Sequence, residues 1–129
     1  VYTRGQKAYF VNRLKPSPFT MHEWRKRAKY LRYHTDLLIK AWPAILKPVE
    51  SELHCLTDFL GDYNDLDNLK KQIIANEELL NEGSTQILLA LANQQQHVFH
   101  RQALILGKKL YAEKPQAFGK RMSVYLENW

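Results

Sequence analysis

One cysteine in 129 residues, Cys55, excludes an internal disulfide and with it the small secreted scaffolds that depend on such bridges. With no second thiol and no evident base beside it in sequence, Cys55 reads as a buried, inert thiol. The five glycines are well separated, so no glycine-rich phosphate loop can form. No stretch alternates apolar and polar residues cleanly, and no Asn-Gly or Asp-Gly pair marks a hairpin, which removes the usual strand signals. No apolar run approaches the ~20 residues of a membrane span. No signal-peptide pattern opens the chain. A membrane partner is therefore not expected, and the expected location is the cytoplasm. The chain starts at Val1 without a methionine and enters mid-helix, which reads as a fragment of a longer protein.

Residues for catalysis or metal binding are equally sparse. The five histidines are scattered. His97 and His100 stand three apart, but no second pair accompanies them. His22-Glu23 is followed by Trp24-Arg25-Lys26, so the zincin pattern is absent, and there is no Glu-x-x-His pair of the di-iron kind. Asp62-Tyr63-Asn64-Asp65-Leu66-Asp67 fails as an EF-hand, because Leu66 holds the fifth loop position and Asp67 the position of the required glycine. No nucleophile is accompanied by a base and an oxyanion hole. These absences argue for a binding protein: no enzyme, no cofactor, no metal.

What remains is ordinary in bulk and unusual in arrangement. Hydrophobic residues make up 45% and charged residues 25%, as in a typical globular domain. Net charge is +6, which favours anionic partners. Helical periodicity runs nearly throughout. It predicts helices over about 1–14, 20–41, 48–60, 64–81, 84–112 and 116–127, broken at Pro16-Ser17-Pro18, Pro43, Gly61, Glu82-Gly83-Ser84 and Pro115. Thr20 with Glu23 reads as a capping box. Gly61 reads as a C-cap, and Asn64 or Asp65 as the next N-cap. Leu53, Leu56, Phe59, Leu60, Leu66, Leu69, Ile73 and Leu80 are expected inside. Short connections favour antiparallel neighbours. The fold class is therefore all-α: an up-and-down antiparallel helical bundle, with residues 1–129 as a single domain.

The second of these helices carries the strongest signal. At about 100° per residue, His22, Arg25, Lys26, Lys29, Arg32 and Tyr33 fall in one stripe, while Trp24, Ala28, Leu31, Leu38 and Trp42 fall opposite. Like charges three or four apart repel by roughly 0.2–0.5 kcal/mol a pair, so their concentration points to an anionic ligand. A solvated helix face is the plain alternative. Arginine offers forked donors to phosphate oxygens and lysine a point charge. His22, read as lying in the first turn, would share that anion with free backbone N–H groups, and a protonated imidazole would add a donor. Arg4 and Lys7 on the first helix, and Arg101, Lys108 and Lys109 on the fifth, are further candidates, although periodicity cannot show that they converge. The Asp62–Asp67 acids read as caps that also orient the arginines.

Two motifs together resemble the CHAD family, the conserved-histidine α-helical domains. They are His22-x-x-Arg25-Lys26-x-x-Lys29-x-x-Arg32-Tyr33 and Leu60-Gly61-Asp62-x-Asn64-Asp65-Leu66. Tyr2-x-Arg4-Gly5-x-Lys7-Ala8 and Leu106-Gly107-Lys108-Lys109-Leu110-Tyr111 extend the similarity to both ends. The resemblance implies two related helical bundles around a basic groove that binds inorganic polyphosphate, of which this chain is similar to the C-terminal half. His22, Arg25, Lys26, Lys29, Arg32 and Tyr33 would line the groove, joined by Arg4 and Lys7. An N-terminal half or a homodimer would complete it, and association with polyphosphate granules follows. The alternatives are RNA binding through the same helix and an accessory role beside a triphosphate-hydrolysing domain.

Overall fold

The computed structural model describes all residues, Val1–Trp129, and contains no strand. Five helices follow in order: α1 (Tyr2–Leu14), α2 (Pro18–Leu38), α3 (Pro43–Ala75), α4 (Glu82–Leu110) and α5 (Pro115–Glu127). Single 3-10 turns, Ile39–Ala41 and Glu77–Leu79, occupy two of the connections. No helix is long and apolar enough to cross a membrane.

Proline sets three of the starts. Pro18, Pro43 and Pro115 each open a helix, where the missing N–H would have had no partner and φ is already helical. The α2 cap differs from the expected one. Ser17 is the N-cap: its Oγ accepts from the Thr20 N–H at 3.1 Å, and Thr20 Oγ1 accepts from the Ser17 N–H at 2.8 Å. Glu23 is instead paired with Arg27 at 3.0 Å. Because α2 begins at Pro18, His22 lies beyond the first turn, and the free N–H groups expected beside it are not there.

The largest departure is α3. Residues 48–60 and 64–81, expected as two helices, form one 33-residue helix ending at Ala75. Pro48 lies inside it and only withholds a hydrogen bond from the Ala44 carbonyl. Gly61 is not a C-cap; its φ is not positive, and it continues the helix. Asn64 and Asp65 sit mid-helix and cap nothing. The turn lies later, at Asn76–Asn81. Glu82, Gly83 and Ser84 are the first turn of α4, capped by Asn81 Oδ1 accepting from the Ser84 N–H at 2.7 Å.

Neighbouring helices are antiparallel. α1 packs on α2, α2 on α3, α3 on α4, and α4 back on α1. Tyr2 Oη donates to the Glu113 carbonyl at one end of α1, and His100 Nε2 meets the Asn12 carbonyl at the other. Trp24, Met21, Leu53, Leu56 and Leu60 are almost wholly buried, in a cluster with Tyr2, Tyr9, Ala28, Leu31, Ala103 and Tyr111. Gly107 makes the cluster possible, since a Cβ there would lie 2.8 Å from Trp24 Cζ2 and 2.9 Å from Tyr9 Cδ1. Trp42 does not join it; it follows the 3-10 turn, remains 46% exposed and meets the Tyr125 ring edge-on at 5.0 Å. Phe118 of α5 stacks on Tyr2 at 4.2 Å.

The cluster stops at Leu60 on α3 and Ala103 on α4. The second half of α3 and the first half of α4 continue as a two-helix hairpin. Lys70 Nζ donates to Asn93 Oδ1 and Gln96 Oε1 across it, and Gln96 Nε2 donates to the Tyr63 carbonyl. Ile73 is buried there, but Leu69, expected inside, is exposed and Leu66 only half-buried. Leu80 lies beyond α3. Cys55 is exposed, not buried: its position on α3 faces the open side toward α4, away from α2.

Candidate functional site

The buried side of α2 fixes what its other side presents. Met21, Trp24, Ala28, Leu31 and Thr35 face the core. On the outer surface, His22, Arg25, Lys26, Lys29, Tyr30 and Tyr33 surround a shallow depression of ≈ 300 Å³ with no acidic side chain in its wall. Every lining residue belongs to α2. The site is a helix face, and which residues share it follows from helical rotation alone.

Packing against α3 then orients the arginines. Arg25 lies across Gly61, where a Cβ would stand 3.1 Å from its Nε and 3.3 Å from its Nη2. Its Nε is buried there without a hydrogen-bond partner. An unpartnered buried donor on a cation is costly, and the contact with Gly61 fixes where the guanidinium sits. Arg32 is held differently: its Nε donates to Glu50 Oε1 at 2.9 Å, and the guanidinium lies 6.0 Å from the Tyr33 ring. Arg32 therefore stands at the α3 edge of the stripe, outside the depression, with its charge already partnered. The acids expected to orient arginines, Asp62 to Asp67, do not do so. Glu50 holds Arg32, while Asp67 faces Lys71 at 3.6 Å.

The other candidates lie elsewhere. Arg4 and Lys7 are exposed on the side of α1 facing away from its buried residues Tyr2, Gly5, Tyr9 and Asn12. Arg101 and Lys108 are exposed on α4. Lys109 lines a separate groove between α3 and α4 with Glu52, Cys55 and Phe59; those three positions are turned well over 90° around α3 from Gly61. The structure thus gathers His22, Arg25, Lys26, Lys29 and Tyr33 and leaves Arg32, Arg4, Lys7, Arg101, Lys108 and Lys109 outside. Tyr30 was not expected in the site. It lies four residues after Lys26, a spacing that places it beside that lysine, and the Arg27 guanidinium lies 6.0 Å from its ring.

Histidine, cysteine and carboxylate side chains nowhere gather in a group of three able to hold a metal ion. The surface can hold an extended anion: two mobile ammonium groups, one guanidinium fixed by packing, one imidazole and two phenols lie along three turns of helix.

No curated protein and no solved structure shows significant similarity to the chain. The family match is to the CHAD domain, over residues 2–73, which takes in α1, α2 and nearly all of α3. The matched span contains the whole basic depression, the Gly61 contact beneath Arg25 and the Glu50 anchor of Arg32, and covers more than half the sequence: the chain belongs to the CHAD-domain family, which is linked to polyphosphate- and triphosphate-related proteins.

Proposed function

We propose that the outer face of α2 is a binding surface for inorganic polyphosphate and that the chain performs no catalysis of its own. The observation that carries this reading is the depression bounded by His22, Arg25, Lys26, Lys29, Tyr30 and Tyr33 without one carboxylate. Polyphosphate has no bases to read. Affinity would come from charge neutralisation and counterion release, and would fall steeply with salt. Arg25, held over Gly61, supplies a pre-placed fork, while Lys26 and Lys29 adapt to a flexible chain. The proposal extends to a cytoplasmic location at polyphosphate granules. It also keeps the reading of the chain as similar to the C-terminal half of a full domain, a qualifier that the family match over residues 2–73 does not itself carry.

Titration with labelled polyphosphate at two salt concentrations tests the reading, with transfer RNA as competitor. Tight, salt-dependent binding that RNA does not displace is expected. Lys26→Glu with Lys29→Glu should abolish it while far-UV circular dichroism stays helical. Milder Lys→Gln changes at the same two sites should lower the logarithmic salt slope by about 1.4, at ~0.7 per lost phosphate contact on a single strand. Undiminished binding by the double glutamate variant would sink the site assignment.

A second reading is favoured by one observation: the partly exposed rings of Tyr30 and Tyr33 flank the lysines, and exposed aromatics beside cations are a stacking platform for single-stranded RNA. Displacement of polyphosphate by RNA at equal charge would select it. An accessory role beside a triphosphate-hydrolysing domain predicts that the chain alone releases no phosphate.

A further inference from the structure

Two ion pairs stand beside the basic depression, and neither contributes a free cation to it. In one, Arg27 Nη2 lies 3.0 Å from Glu23 Oε1. In the other, Arg32 Nε donates to Glu50 Oε1 at 2.9 Å. The two arginines, five residues apart, are turned about 140° from each other around α2, so they lie on opposite flanks. Neither lines the depression. Each guanidinium instead lies 6.0 Å from the centre of a tyrosine ring, Arg27 by Tyr30 and Arg32 by Tyr33. Both of those tyrosines do line it. The order carboxylate, guanidinium, phenol therefore occurs twice, once with a glutamate of α2 and once with a glutamate of α3.

The arginines are poor direct ligands for an anion. Each already has a carboxylate partner. The side chains of Arg32 and Glu50 are only 25% and 18% exposed, and an anion that drew Arg32 away would leave a mostly covered carboxylate unpaired. The tyrosines, by contrast, are half-exposed, so packing alone does little to limit the rotation of their rings. A guanidinium attracted to the ring and tied at its other side to a carboxylate supplies that limit. What each trio then offers an anion is a phenol O–H, whose hydrogen bond to a charged oxygen is stronger than one between neutral groups. A neutral donor neutralises no phosphate and releases no counterion, so the affinity it adds does not change with salt as that of the lysines does. We propose that Arg27 and Arg32 serve the site through Tyr30 and Tyr33, each arginine holding one phenol in place to donate to a phosphate oxygen; this rests on the polyphosphate reading of the depression. The two arginines are positioning residues, and the two hydroxyls are hydrogen-bonding subsites beside the lysines.

The test is titration of the whole chain and its variants with labelled long-chain polyphosphate across a salt series, with circular dichroism to check each fold. Tyr30→Phe with Tyr33→Phe keeps both rings and both arginine contacts and removes only the hydroxyls. Affinity should fall roughly tenfold or more at every salt concentration, with the logarithmic salt slope unchanged. Unchanged affinity overturns the proposal; a loss seen only when the rings themselves go, in Tyr30→Leu with Tyr33→Leu, would make them stacking surfaces instead. Glu23→Gln, Arg27→Gln, Arg32→Gln and Glu50→Gln together remove both ion pairs and leave the net charge as it was. Affinity should again fall several-fold at constant slope. A slope reduced by about 1.4, at ~0.7 for each arginine, would make the arginines direct contacts and overturn their positioning role. Added to the phenylalanine variant, the four glutamines should cost almost nothing further, because the hydroxyls that the arginines position are already gone; a full additional loss also overturns that role. Should the glutamine variant not fold, the phenylalanine variant decides alone. If the wild-type chain does not bind, the polyphosphate reading falls and this inference with it, whereas wild-type binding that is indifferent to the hydroxyls sinks this inference only.

Discussion

The two ends of this molecule are built on different terms. At the root, four helices enclose Trp24, and Tyr9, Tyr111, Leu53, Leu56 and Leu60 close around it. At the tip, two helices share one thin layer, where Ile73 and Ala92 are buried beside polar Asp67, Thr85 and Gln96, and Leu79 in the turn is 84% exposed. Thr85 Oγ1 lies buried there without a hydrogen-bond partner. The same two helices, α3 and α4, run through both ends. Burial is therefore set by the number of neighbours, not by the helix: α1 and α2 cover one end and do not reach the other. A hairpin of two helices has no interior of its own, and whatever apolar surface it carries is left facing outward.

The comparison breaks if the two ends respond alike to truncation. Trp24→Ala should cost about 3–5 kcal/mol, because a filled site among rigid neighbours becomes a cavity. Ile73→Ala should stay near the ~2 kcal/mol lower end for an aliphatic truncation, since the thin hairpin can collapse onto the gap. Urea denaturation of the two variants measures both. Equal losses would show that the tip is as tightly packed as the root.

Alkaline pH should act most strongly on the root, although burial and the nearby Asp67 also raise the Tyr63 phenol on the hairpin. Burial pushes the Tyr111 phenol well above the ordinary tyrosine range; the neighbouring Trp24 indole offsets this only in part, and Tyr2 adds to it. The Tyr111 hydroxyl and the Trp24 indole N–H are buried close together without a hydrogen bond of ordinary geometry. A group whose folded pKa is raised keeps its proton in the fold while the unfolded chain loses it. Its contribution is fully present below about pH 10, where free tyrosine titrates, and is lost as pH rises toward the folded value. Tyr111→Phe should leave stability at neutral pH little changed and move the alkaline unfolding midpoint upward. An unmoved midpoint would place the alkaline weakness elsewhere.

The smallest effect belongs to the contact beneath the proposed anion site. In Gly61→Ala the added Cβ requires Arg25 to shift by a few tenths of an ångström. The gain in helix propensity, up to ~1 kcal/mol, opposes that displacement, so stability should change by less than ~1 kcal/mol. On the proposed function, polyphosphate affinity should fall, because the guanidinium is no longer held in place. Unaltered affinity with unaltered stability would mean that the arginine adapts without loss and that Gly61 serves only the helix.

Legibility in the sequence followed the range of the interactions. Pro18 and Pro115 act on their own backbone, and the helices they open begin within two residues of expectation. A break is expected at Gly61 because glycine followed by Asp-Tyr-Asn-Asp is locally a stop and a new cap. Its actual role is to let a side chain from another helix pass, which no local pattern records. The same limit applies to Cys55, a small apolar side chain on a helix whose outer face has no neighbour to cover it. Tyr30 is not legible as a lining residue, because an aromatic residue at a stripe's edge reads as packing until the positions of the neighbouring helices are known.

The sequence alone determined that the chain is helical, that α2 is divided into a buried and a cationic face, and that His22, Arg25, Lys26, Lys29 and Tyr33 share the latter. These follow from residue spacing on one helix, which is fixed by the geometry of the peptide backbone. Tertiary structure decided that α3 runs unbroken through Gly61, that Arg25 is seated and Arg32 tied to Glu50, and that Arg4, Lys7, Arg101, Lys108 and Lys109 stand apart from the depression. It also decided which apolar positions of α3 and α4 stay uncovered. Each of these depends on the distance between residues far apart in the chain, and that distance is set by how helices pack.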